Sequence, residues 1–435
     1  MVTGNLEIFS ARRALEALRS GVPNGDAVSI LGCDQSEVVS GFEKILNDTV
    51  NGTRTDSSDT GMLVEGGFGS GKSHLLQHLK HLALSQNFVC SSVAISKETP
   101  LFSLDKVFKS AVDQGLLPGR TGQLIEEVSH GLNPETEAYS QFFVWANSEE
   151  SGISPMFPAS LIVHERTTDF ELKSEIEAFW SGNTIALKKI RDGLRDMNQL
   201  QNYSFSRPRA NEFGLQRLRF VSELIRAAGY NGWVILLDEI ELIAGYSLLQ
   251  RGRSYSELAR WLGYVVDEDY PGLVTVGTIT DDFRGYVFEE KGDRDYIGTR
   301  LRSRGDDLVA SRAETGMRIL NENRLVIKEP TLETAQATVD RLRQIHSTAH
   351  EWDAPHIEAQ IGGATFQRRM RSQVRRAINE WDLIRLYPDA RPDTEDTDFH
   401  HTYTEDLTLE QETSEELESS IESQVSSQQE ESNEN

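Results

Sequence analysis

The sequence predicts a doubly wound α/β domain built round a phosphate-binding loop, on three observations. The stretch "EGGFGSGKSHL" at residues 65–75 fits the pattern G-x-x-x-x-G-K-[ST] from Gly66 to Ser73. The stretch "GWVILLDEIELI" is a continuous apolar run ending in two acids, Asp238 and Glu239. Short β-branched runs alternate with helical patterns across residues 61–330, the rhythm of strands with covering helices.

In a loop of this pattern, backbone N–H groups cradle phosphates, the lysine reaches the terminal ones and the hydroxyl holds Mg²⁺. The flanks are those the pattern requires. "GMLVE" before it reads as a buried strand, and "SHLLQHLKHLAL" after it sets Leu75, Leu76, Leu79 and Leu82 on one helical face. The helix start then turns its free N–H groups and positive dipole end to the phosphates. Gly66, Gly67, Phe68, Gly69, Ser70, Gly71, Lys72, Ser73 and His74 are therefore the expected cofactor-binding set, with ATP as the cofactor. Mg²⁺ on Ser73 needs a second, acidic anchor from a nearby strand end. Residues 234–237 read as a strand buried on both faces, so Asp238 emerges at its edge as the metal anchor. Glu239 next to it is the expected catalytic carboxylate, polarising the attacking water.

Runs at 87–96, 272–280 and 323–330 complete an expected parallel sheet of five strands. After Pro330, "TLETAQATVDRLRQIHSTAH" reads as a helix capped by Thr331, and "FQRRMRSQVRRAINEWDLIRL" as a second. The two make a small helical lid over the nucleotide. The span between the second strand and Val234 is far too long for a loop, so a mainly helical insertion is expected there. The division is then 1–97 for an N-terminal helical segment and the first part of the core, 98–230 for the insertion and 231–330 for the second part of the core. The lid takes 331–388 and an acidic tail 389–435.

With 435 residues the chain has length for a large core and several domains. No run approaches a membrane span and the N-terminus lacks a signal peptide's apolar stretch, so the expected address is the cytoplasm. The only cysteines are Cys33 and Cys90, which excludes a disulfide framework and a clustered zinc site. The formal charge of -25 is uneven: about 16 acids against one arginine fall after residue 388. That polar tail is expected to be disordered, with an acidic interaction arm as its functional reading.

Taken together, "ARRALEALRSGVPNGDAV", "GGFGSGKSHLLQHLKHLAL", "NFVCSSVAISKETPLF", "LLDEIE" and "LVIKEPTLETAQATVDRLRQIH" resemble the BREX-type ATP-binding proteins of prokaryotic phage defence, the BrxC/BrxD group. The resemblance spans roughly residues 8–386, and the length is closer to the short BrxD-like members. It implies an AAA+ fold, a homo-oligomer, and work beside other defence-system proteins. It places Thr278 of "VGTITDDF" as a sensor of the γ-phosphate or lytic water. Arg300 of "DYIGTRLRSRGDD" is the arginine that aligns best for supply to a neighbouring subunit, with Arg302 and Arg304 as alternatives. Arg371 takes the second sensor position, although Met370 stands where the family more usually has proline. Arg368, Arg369, Arg375 and Arg376 form a basic cluster, so DNA is a candidate partner. Two rival functions are an Orc/Cdc6-like DNA-loading ATPase and a non-hydrolysing ATP-bound scaffold. The short ordered length after the lid weighs against the first, and Glu239 against the second. No N-K-x-D motif marks a GTPase, and no nuclease or methyltransferase motif is visible.

Overall fold

A computed structural model of the chain describes residues 2–20, 24–53, 60–205, 210–265, 268, 270–329, 331–359 and 370–387. Its centre is one sheet of β1 (Gly61–Glu65), β2 (Val89–Ala94), β3 (Gly115–Leu116), β4 (Trp233–Asp238), β5 (Leu273–Ile279) and β6 (Leu325–Val326). The spatial order is β3-β2-β4-β5-β1-β6. All neighbours run parallel except β3, which pairs antiparallel with β2. The sheet thus has six strands where the sequence reading had five. The sixth is two residues of edge pairing, too short to leave a periodic signal. β6 is also shorter than the run at 323–330, pairing only Leu325 with Val64 and Val326 with Glu65. Beyond it, the side-chain amide of Gln35 accepts from the Lys328 N–H at 2.9 Å and donates to the Lys328 carbonyl at 3.2 Å. A side chain continues the ladder where the strand stops.

Side chains alternate across the sheet and so build two cores. Val64, Val234, Leu236, Val274 and Val276 face α3 (Ser36–Asn51) and α4 (Lys72–Ser85), whose Phe42, Leu46, Leu75 and Leu79 are buried against them. The opposite face carries Leu63, Trp233, Ile235, Leu237 and Leu273 into a second core. Seven helices between β2 and β4 contribute to it: α5 (Leu104–Asp113), α6 (Leu124–Gly131), α7 (Glu137–Ala146), α8 (Met156–Arg166), α9 (Phe170–Trp180), α10 (Leu187–Asp196) and α11 (Ala210–Ala227). Phe157 is the hub of this helical segment, stacked on Phe179, Phe213 and Phe220 with ring centroids 5.0–5.3 Å apart. Three later helices close the same core, α12 (Leu248–Trp261), α13 (Asp293–Arg302) and α14 (Asp307–Glu322).

A third core joins the two ends of the chain. From the N-terminus, α1 (Val2–Ser20) and α2 (Gly25–Leu31) bring Ala14, Leu15, Leu18 and Leu31. They meet Val339, Leu342, Ile378 and Trp381 of α15 (Leu332–His350) and α16 (Met370–Leu386). Thr331 caps α15, its hydroxyl accepting from the Thr334 N–H. No described helix is long and apolar enough to cross a membrane. The tail at 389–435, together with Pro330, Arg368 and Arg369, lies outside the described residues.

Candidate functional site

β1 ends at Glu65 and α4 begins at Lys72, so the glycine-rich loop is a tight strand-to-helix turn. Gly69 and Gly71 hold φ of 76° and 106°, a left-handed region that a side chain disfavours. Lys72 is buried and donates to the carbonyls of Gly66 at 2.8 Å and Gly67 at 3.3 Å. Burial lowers the pKa of its ammonium, while the charges of Glu241, Asp238, Asp281 and Asp282 pull it back up. Beside it, the Ser70 hydroxyl oxygen is buried with no hydrogen-bond partner among the described residues. A buried polar atom without a partner is costly, and a phosphate oxygen is the group that such a loop satisfies it with. His74 faces away from the loop, its Nε2 2.7 Å from the Gly32 carbonyl. Burial lowers its pKa, so the ring is neutral with its proton on Nε2.

Asp238 is the junction of the site. One carboxylate oxygen accepts from Ser73 Oγ at 3.1 Å, and the other from Thr278 Oγ1 at 2.5 Å and the Glu239 N–H at 3.0 Å. The topology explains this meeting, because β5 lies between β1 and β4. Thr278, fully buried near the end of β5, therefore sits between the loop hydroxyl and the acid. Sequence reasoning aimed it at the γ-phosphate, and here its hydroxyl holds Asp238. Glu239 is exposed in a left-handed conformation, φ 60° and ψ 35°, which ends the strand and opens a 3₁₀ turn. Such a conformation costs of order 1 kcal/mol for a residue with a Cβ.

The sequence reading passed over Glu241. It is buried, and its Oε2 has no hydrogen-bond partner among the described residues. Burial pushes its pKa up to about 7, against the pull of Lys72. Its signal was present in "DEIE", where a second acid follows Asp238 by three residues, one turn of the 3₁₀ segment. Asp281 was likewise unremarked, although a Cβ on Gly67 would lie 3.2 Å from its Oδ2.

The lid reaches the loop through Arg371. Its guanidinium lies 5.1 Å from the centre of the Phe68 ring, and its N–H is 3.4 Å from the Gly69 carbonyl. Between lid and loop is a cavity of about 250 Å³, with Gly32, Cys33, Asp34 and Gln35 on one wall and Thr334, Thr338 and Val374 on another. The 31–35 loop is gripped from three sides. Arg341 donates to the Leu31 carbonyl at 2.5 Å, His74 to that of Gly32, and Gln35 pairs with Lys328. Polar cradle and mostly apolar recess together suit a nucleoside polyphosphate.

Arg300 lies apart, exposed at the end of α13, and no bond among the described residues joins it to the loop. Its neighbour Arg302 is paired with Glu314 at 2.7 Å. Of the basic cluster, Arg375 donates to the Ser20 carbonyl at 3.2 Å and Arg376 to that of Glu358 at 2.6 Å, so both serve the fold.

The histidine pair of α15 adds a separate cluster. His346 Nε2 is 3.2 Å and His350 Nε2 3.9 Å from Asp382 Oδ1. Three ligand atoms in reach of one ion resemble a metal site. The hydrogen bonds argue otherwise: the Trp352 indole donates to His346 Nδ1 at 2.9 Å, which puts the ring's own proton on Nε2, facing Asp382. Arg19 also claims Asp382, at 2.5 Å.

No curated protein and no solved structure matches the chain. A protein-family model described as "BREX system ATP-binding protein BrxC/D" matches residues 10–115 and 211–392. Those two stretches contain the loop, both strand-end acids, Thr278 and Arg371, and leave out most of the helical segment from α6 to α10. The match covers most of the sequence, and the chain belongs to the family of BREX system ATP-binding proteins BrxC/D.

Proposed function

We propose that the chain is an AAA+ ATPase, the nucleotide-driven switch or remodelling subunit of an anti-phage defence system. The observation that carries this reading is Asp238, which ties the loop hydroxyl of Ser73 to Thr278 beside the buried Lys72. In this reading Lys72 leaves the Gly66 and Gly67 carbonyls for the phosphates. Ser73 Oγ and Asp238 Oδ2 are hard oxygens of the kind Mg²⁺ takes, and they would hold it. When bound, that ion neutralises charge on the phosphate oxygens. Glu239, exposed at the strand end, takes the proton of the attacking water, and Thr278 keeps Asp238 in place. Arg371 brings the lid's positive charge to the loop.

The exposed Arg300 acts on the site of a neighbouring copy, so the working form is a homo-oligomer. Other defence proteins and DNA are the partners this reading assigns. Residues 1–97 and 231–330 form the nucleotide core, 98–230 the insertion and 331–388 the lid. The test is ATP turnover by the purified chain, alone, with duplex DNA and with candidate partners from neighbouring genes. Glu239→Gln should bind ATP yet lose about 10²- to 10⁴-fold in turnover, the usual worth of a positioned base. Wild-type turnover in that variant, or no turnover under any of the three conditions, would overturn the reading.

A further inference from the structure

We propose that the acidic segment at residues 395–412 docks, within its own chain, on the exposed face of α1. That face is a wide, shallow groove lined by Phe9, Arg12, Arg13, Ala17, Arg19 and Asn24. Phe9 is 66 % exposed, an apolar ring of a size that a surface helix normally buries. Arg13 and Arg19 keep 68 % and 45 % of their side chains in solvent although each has an acidic partner, Asp26 and Asp382. In a chain of net charge -25, three arginines on one exposed helical face are a local reversal of sign.

The place where the described chain ends points to the occupant. α16 runs beside α1, held by Arg19 to Asp382 at 2.5 Å and by Arg375 to the Ser20 carbonyl at 3.2 Å. Leu386 and Tyr387, one turn past Asp382, are exposed at its end. The next residues in the sequence therefore start beside the groove. Ten extended residues span roughly 33 Å, ample for α1, whose groove residues from 9 to 19 cover roughly 15 Å at helical rise. The segment's chemistry matches the groove: Glu395, Asp396, Asp398, Glu405 and Asp406 surround Phe399 and Tyr403, with no lysine or arginine among them. The carboxylates answer the arginines and the aromatic rings answer Phe9.

Exposed ion pairs are weak, each worth about 0–1 kcal/mol. A tether changes the arithmetic, because a short linker holds its segment at an effective concentration in the mM range. Contacts too weak to join two molecules then suffice within one.

The experiment labels a cysteine in the groove of the full chain. Ala17→Cys is reacted with a thiol reagent, and modification at position 17 is read by peptide mapping. With the native tail, labelling at low salt should be about fivefold slower than in a chain whose five acids at 395–406 are replaced by Asn and Gln, for a tether of this strength. Salt at about 0.5 M should abolish the difference, since screening shortens the reach of charge. Arg13→Glu should free the site with the native tail, and Lys at 405 and 406 should restore protection to that variant. Equal labelling in the native and neutral tails at low salt overturns the proposal. So does protection that grows with protein concentration, which assigns the face to a second copy. A short DNA duplex that protects position 17 equally with either tail assigns it to nucleic acid and also overturns it.

Discussion

Lys72 and Glu241 are two buried charges of opposite sign behind one phosphate loop, and each is kept by the other. Removing Lys72 deletes the ammonium that meets the phosphates. Lys72→Ala is expected to abolish binding of a fluorescent ATP analogue while leaving the circular dichroism spectrum unchanged. Retained affinity in the folded variant would contradict the assignment of the loop. Glu241 makes a separate prediction about stability. Its folded pKa of about 7 stands above the ordinary 4.5, so between these values the folded state holds a proton that the unfolded state has lost. Stability from this group is present below pH 4.5 and is lost as pH rises through about 7. Glu241→Gln keeps the shape without the charge. Its melting temperature should exceed that of the wild type at pH 8, and the two should converge near pH 5. At pH 8 the gain is expected to be about 1–3 kcal/mol. A variant no more stable than wild type at pH 8 would show that Lys72 already compensates the carboxylate.

At the scale of the element, β5 is the strand on which the site turns. It is buried along its whole length and carries Thr278 into the gap between loop and acid. Thr278→Val preserves the shape and removes the hydroxyl, leaving Asp238 with one fewer donor in a buried setting. We expect turnover to fall about tenfold or more, with ATP affinity little changed and stability lowered by about 1 kcal/mol. Thr278→Ser should restore most of the activity. Equal turnover in wild type and Thr278→Val would mean that Ser73 and the Glu239 N–H hold Asp238 by themselves. The lid acts through a different element. Gln35→Ala breaks both hydrogen bonds to Lys328, at the hinge between β6 and α15 and at the wall of the cavity. A several-fold rise in KM with little change in kcat is expected, because the loss falls on binding and not on the reacting groups.

For the whole molecule, the core shared by α1, α2, α15 and α16 is distinct from the two cores flanking the sheet. Trp381 is fully buried in it, its indole donating to the Pro355 carbonyl at 2.9 Å. Trp381→Ala should cost about 3–5 kcal/mol locally. Amide exchange should then rise together in α1, α15 and α16, while β4 and β5 stay protected. Exchange confined to α16 would show that the chain ends do not share a cooperative unit. Assembly is tested by mixing subunits: Arg300→Ala and Glu239→Gln, each inactive alone, should recover part of the turnover together, because mixed interfaces place an intact arginine against an intact acid. An active enzyme that sediments only as a monomer rules that out.

The local features of this protein follow from its sequence alone. Glycines with a following lysine and serine between an apolar run and an amphipathic helix dictate a strand, a phosphate loop and a helix. Residues 234–237, apolar throughout, dictate a strand buried on both faces with Asp238 at its edge. Cap and breaker residues set the start of α15 at Thr331. These are short-range effects of backbone sterics, propensity and burial, so they are written in neighbouring residues. Only the tertiary structure decides what meets across the chain. Strand order is set by packing and crossover, and it places β5 between β1 and β4 and so turns Thr278 onto Asp238. The two-residue β3 exists because β2 offers it an edge. Burial, a property of the whole fold, makes Glu241 a group with a pKa of about 7, when by its sequence it is one acid among many. The third core brings α1 to α16 because both ends of the chain carry an apolar face that nothing nearer in sequence covers, and water drives those faces together whatever their separation along the chain.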